Sequence, residues 1–142
     1  MHAMQVLSLA YSKTENATYL IVGTRKPTAL MVDFHTGTER MGFTGMVSKG
    51  VAGEPHDMAI WDMLVDPSGR YLYTASKDTT VTLSTPSTAQ PDRLCCQIKM
   101  WDLRSGFLVE TFDGHQDGVR CISLHDNTLF SGSIYLWIHF VR

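Results

Sequence analysis

Three stretches of the chain set apolar residues at the same distances behind a histidine. Behind His2 stand Val6, Leu9 and Tyr11; behind His56 stand Ile60, Met63 and Val65; behind His115 stand Val119, Ile122 and Leu124. The fourth, seventh and ninth positions are thus apolar each time, and each run predicts a strand. Self-similarity of this kind is the mark of a repeated supersecondary unit.

A second strand is predicted after each of them, at Thr18–Thr24, Arg70–Ser76 and Thr128–Ser133. These segments are rich in β-branched and aromatic residues and bounded by turn residues. Asp66-Pro-Ser-Gly69 carries the chemistry of a tight turn between the first two strands of the middle unit. Third strands are predicted at Ala29–Phe34 and Ile98–Leu103. Fourth strands follow at Glu39–Phe43 and Phe107–Phe112, after turns ending in Gly37 and Gly106. Two segments exceed what the repeat needs. One is Met46–Pro55; the other is Val81–Gln97, a Pro/Ser/Thr-rich stretch that predicts a surface loop inserted into a hairpin. At the C-terminal end, Ser133 runs directly into Ile134-Tyr-Leu-Trp137 without turn residues, so nothing there predicts that the chain folds back.

The run Ile98-Lys-Met-Trp-Asp-Leu-Arg-Ser-Gly106, followed by Gly114-His115, resembles the WD40 repeat family. The resemblance implies an all-β fold of four-stranded antiparallel WD40-type blades. About two and a half repeats are present, at about 2–45, 56–112 (with the insertion 81–97) and a truncated 115–142. A propeller uses roughly 4–8 blades, so the resemblance implies an incomplete one, from a fragment or isoform of a longer chain. It also implies a buried hydrogen-bond network in each blade. In the middle repeat the members are His56, Thr74 or Ser76, Asp78 and Trp101. In the third they are His115, Ser131 or Ser133 and Trp137, without an aspartate; in the first, Val32 stands where the Trp belongs.

Composition narrows the function. Of 142 residues 44% are hydrophobic and 18% charged, which excludes a disordered chain, and a net charge of −2 argues against a nucleic-acid or anionic-membrane surface. The start has no basic segment ahead of its short apolar run, and Ile134–Val141 is far below the ~20 residues of a membrane span. Three cysteines, two of them adjacent, make no disulfide framework, and a cytoplasmic or nuclear location is expected. No G-x-S-x-G elbow supports a hydrolase triad, no Cys or His pairing has metal-ligand spacing, and no glycine loop is followed by Lys-Ser/Thr. The expectation is therefore a protein that is not an enzyme, without metal or cofactor.

By resemblance the function is a protein–protein interaction scaffold. In that geometry both long segments crowd one face, where a protein partner is expected. The alternative is a substrate receptor of a cullin-RING ubiquitin ligase, implied by Trp-Asp-x-Arg at 101–104 with Arg104 as the adaptor contact. The apolar Ile134–Val141 and the unpaired blade edges also point to self-association.

Overall fold

The computed structural model describes residues 5–43, 56, 58–76, 96–115, 117–133 and 137–141. The described chain contains eleven strands: β1 (Val6–Lys13), β2 (Thr18–Thr24), β3 (Ala29–Asp33), β4 (Glu39–Phe43), β5 (Ile60–Val65), β6 (Tyr71–Ser76), β7 (Cys96–Asp102), β8 (Leu108–His115), β9 (Val119–His125), β10 (Thr128–Ser133) and β11 (Trp137–Val141). They form three antiparallel sheets in the orders β1-β2-β3-β4, β5-β6-β7-β8 and β11-β10-β9. Within each sheet, strands adjacent in sequence pair with one another, as successive hairpins require.

The hairpin turns follow from local chemistry. Asp33 and Asp102 stand at matching places between third and fourth strands. Asp33 Oδ1 accepts the N–H groups of His35 and Thr36, and Asp102 Oδ1 those of Arg104 and Ser105, at 2.8–3.1 Å. Each turn closes on a glycine with positive φ, 68° at Gly37 and 74° at Gly106, where a side chain would be strained. Asp66 organises the β5–β6 turn by accepting from Ser68 Oγ and from the N–H groups of Arg70 and Tyr71. In the third sheet the same place is taken by Asp126-Asn127, both at positive φ, the signature of a two-residue type I′ hairpin.

Sheet two is packed on both faces. On one side Ile60, Met63, Leu72, Trp101, Leu103 and Leu108 meet Ile21, Ala29, Met31 and Phe43 of sheet one. On the other, Tyr73, Ala75, Ile98 and Met100 meet Val119, Ile122 and Leu129 of sheet three. The first strands sit side by side, β5 against both β1 and β9.

The larger shifts of sequence-based boundaries fall at β7, β8 and the C-terminal segment. β7 begins at Cys96, so the last two residues assigned to the 81–97 insertion belong to a strand; Cys96 pairs with His115 and prolongs the hairpin. β8 correspondingly runs to His115, beyond Phe112. The larger correction is the C-terminal segment. It does fold back, and β11 pairs with β10 from Thr128↔Val141 to Gly132↔Trp137. Trp101 lies opposite Leu72, and the residue opposite the corresponding Leu129 is Phe140. The short connection starts the strand at Trp137 and displaces that residue from the Trp101 position by three. Asp78, Met46–Pro55 and most of the 81–97 insertion lie outside the described residues.

Candidate functional site

Two chemically distinct places arise from this architecture: histidine networks inside the sheets, and the rim where the long segments leave them. The first is built around Thr74 on β6. Trp101 Nε1 donates to Thr74 Oγ1 at 2.8 Å, and His56 Nε2 lies 2.6 Å from the same oxygen. All three side chains are at most 1% exposed. Buried imidazole, hydroxyl and indole N–H groups are each costly alone, and here they satisfy one another. The indole also takes the edge of Phe43, with centroids 5.8 Å apart, which ties the network to sheet one.

Of the two hydroxyls proposed for this role, Thr74 makes the contact and Ser76 does not. Ser76 Oγ instead donates toward the carbonyls of Met58 and Ala59, holding the chain that enters β5. In sheet three, His115 Nε2 lies 2.6 Å from Ser131 Oγ, and both residues are buried. Burial holds the His115 imidazole below its ordinary pKa, and among the described residues its Nδ1 has no hydrogen-bond partner. Sheet one carries Val22 where β6 carries Thr74, opposite the same kind of register, and Val32 where β7 carries Trp101. The sequence reading caught Val32 and missed Val22; the signal was its place two residues before Thr24, as Thr74 stands two before Ser76. These hydroxyls are sealed from solvent, so no substrate reaches them. Among the described residues no group of three His, Cys, Asp or Glu side chains is placed to hold a metal ion.

The rim is different. Val6, Thr24 and Phe43 lie at one end of sheet one, and Ile60 and Ser76 at one end of sheet two. Ser8 Oγ donates to the Ile60 carbonyl at 3.1 Å, joining those two ends. Asp62 Oδ2 accepts the Ile122 N–H at 2.8 Å and joins sheet two to sheet three in the same manner. Segments 44–55 and 77–95 both leave from this end. At the same end of the sheets the Arg120 guanidinium lies 4.4 Å from the ring centroid of Trp61, which stays 37% exposed. Sequence reasoning passed over both residues, although they hold the same place, five positions after His56 and His115. Arg104, by contrast, is exposed at the β7–β8 turn, at the opposite end of the sheets, where its N–H caps Asp102.

The WD40 family model, described as WD domain, G-beta repeat, matches residues 52–83 and 106–137. The chain carries WD40 repeats. Transducin-like enhancer protein 2 of Mus musculus is 32% identical over 80 residues, covering 54% of this chain and 10% of that protein. An uncharacterised WD repeat-containing protein of Schizosaccharomyces pombe is 31% identical over 70 residues, 49% of this chain and 13% of its own length. The crystal structure of the RRP9 WD40 repeats superposes with a TM-score of 0.63 at 15% identity, covering 92% of this chain and 33% of that one. That likeness shows the fold. These matches span about a tenth of the length of either relative and a third of the solved chain. The two WD40 matches each contain one of the network histidines, His56 and His115.

Proposed function

We propose that this WD40 chain is a non-enzymatic protein-interaction scaffold whose partner contacts the rim that carries segments 44–55 and 77–95. The observation that carries the reading is Trp61 under Arg120, half exposed at that rim. Trp and Arg dominate the energetics of protein interfaces, and a cation–π pair presents a broad, pre-ordered surface at low entropic cost. The repeats at about 2–45, 56–112 and 115–142 act as one partial propeller, a fragment or isoform of a longer propeller protein, in the cytoplasm or nucleus. Its sealed networks support the blades and take no part in chemistry.

Selection of peptides from a displayed library on the immobilised chain tests this. Binders are expected to lose at least tenfold in affinity, about 1.4 kcal/mol, on Trp61→Ala or Arg120→Ala. Binders indifferent to both substitutions would remove the rim from the reading. The ubiquitin-ligase alternative is favoured by the exposure of Arg104. It requires capture of a cullin-RING adaptor that is lost in Arg104→Ala and kept in Trp61→Ala.

A further inference from the structure

Asp117-Gly118 is one of two Asp-Gly pairs in the sequence, the other being Asp113-Gly114. It lies in the short connection between β8 and β9, and its carboxylate is folded onto its own backbone. Asp117 Oδ1 accepts the Gly118 N–H at 2.6 Å. The carboxyl carbon is one bond beyond that oxygen, so an electrophilic carbon is held beside the amide nitrogen of the next residue. Glycine has no Cβ to shield that nitrogen or to restrict the backbone around it.

Each half of this arrangement also occurs alone. Asp62 Oδ1 accepts the Met63 N–H at 2.9 Å, but there the next residue carries a bulky side chain, and the second oxygen, Oδ2, is held by the Ile122 N–H. Asp113 does precede a glycine. Its backbone, however, lies within β8 between the paired positions Ile98↔Phe112 and Cys96↔His115, which keep it from turning as ring closure needs. Asp117-Gly118 combines the contact with the glycine.

We infer that Asp117 is a site of spontaneous backbone isomerisation. The Gly118 nitrogen attacks the Asp117 carboxyl carbon; a C–N bond forms, and the amide proton leaves with the hydroxyl of the protonated carboxyl as water. The product is a five-membered succinimide. Water then opens the ring at either carbonyl, and opening at the main-chain carbonyl routes the chain through Cβ and Cγ as isoaspartate. Water is lost once and gained once, so no other reactant is needed. Holding the reacting atoms together in advance is what speeds an intramolecular step. The change adds one carbon to the main chain between two fixed points. One is His115, whose Nε2 lies 2.6 Å from Ser131 Oγ; the other is Val119, 0% exposed in the core. Isomerisation therefore strains the β8–β9 connection and loosens Val119 from its packing. This chemistry belongs to the loop itself and is the same whether or not the rim binds a partner.

Trypsin releases residues 105–120 as one peptide that holds both Asp-Gly pairs, so each chain carries its own control. The full chain is kept for weeks near neutral pH, once native and once in guanidinium chloride, and electron-transfer fragmentation of that peptide locates isoaspartate. In the native chain, conversion at Asp117 is expected to exceed that at Asp113 by about tenfold, the advantage of a pre-formed contact, and in guanidinium chloride the two should be comparable. Aged native chain should also melt earlier than fresh chain. Aged and fresh Asp117→Glu, whose ring would be six-membered and slow to close, should melt alike. Native conversion no greater at Asp117 than at Asp113 overturns the inference. So does conversion at Asp117 that leaves the melting temperature unchanged, or an equal loss on ageing in Asp117→Glu.

Discussion

Thr74 shows how much one hydroxyl can organise. It accepts from Trp101 and meets His56 in a place with no solvent. Thr74→Val keeps the volume and strands both partners, each at roughly 1–3 kcal/mol for a buried unsatisfied group. A loss of about 2–4 kcal/mol is expected by urea unfolding. Trp101→Ala adds a cavity and should cost about 3–5 kcal/mol. Near-wild-type stability in either variant would mean that the middle repeat does not rest on this network. His115 adds a pH dependence. Its imidazole is held below the ordinary value by burial, so the unfolded chain binds that proton more readily than the folded one. Stability is therefore present above the unfolded pKa of about 6.5 and is lost as pH falls below it. The melting temperature should drop as the pH is lowered through about 6.5, and His115→Gln should flatten that part of the profile. Trp101 and His115 are legible in the sequence because Trp-Asp and Gly-His sit at fixed places in a known repeat, and His56 because the apolar spacing behind it matches that behind His115. Thr74 could not be separated from Ser76 on sequence, because both are small hydroxyl residues on the same strand face. Only the register with Trp101 distinguishes them.

At the scale of elements, the hairpins depend on aspartates, of which Asp66 reads as a turn residue in the sequence and Asp102 does not. Asp102 was read as part of the Trp-Asp signature; in the fold its carboxylate ties down the β7–β8 turn through the Arg104 and Ser105 N–H groups. Partial burial pushes its pKa up, but those hydrogen bonds and the nearby Arg70 outweigh it and hold the carboxyl below its ordinary range. Asp66 behaves alike: burial raises it, and Ser68, Tyr71 and Arg70 together lower it further. Stability from both is present above the unfolded carboxylate pKa of about 3.9 and is lost as pH falls through the lower folded values, a second acid step below that of His115. The strands themselves were readable from β-branched and aromatic content. Their ends were less so, since Cys96 and Gln97 read as loop and pair as strand. That difference changes an experiment. Deleting residues 81–95 should leave the melting temperature equal or higher, because a surface hairpin connection costs little to shorten. Extending the deletion through Gln97 removes the pairing partner of His115 and should lower it. Equal melting temperatures for the two deletions would argue that Cys96↔His115 pairing adds nothing.

Across the whole molecule, protection from solvent is graded by how many sheets cover a strand. β6 lies between the two apolar clusters and is buried from Leu72 to Ser76, so its amides should exchange most slowly, while β4 and β11 lie at sheet edges. The C-terminal strand is the place where this gradient bears on solubility. Read as sequence, Ile134–Val141 is an apolar segment with nothing to turn it back, and its removal looks beneficial. Its backbone instead pairs with β10 along five positions, from Thr128 to Gly132. β10 also carries Ser131, which holds His115, and Leu129, which packs against sheet two. Cutting the chain after Ser133 therefore exposes the backbone of a strand whose side chains are committed to the core, the geometry that recruits foreign strands. The truncated chain is expected to melt earlier and to scatter more light on heating than the full chain. A truncated chain that melts at the same temperature and stays clear would show that β11 shields nothing, and would return the self-association risk to the tail itself.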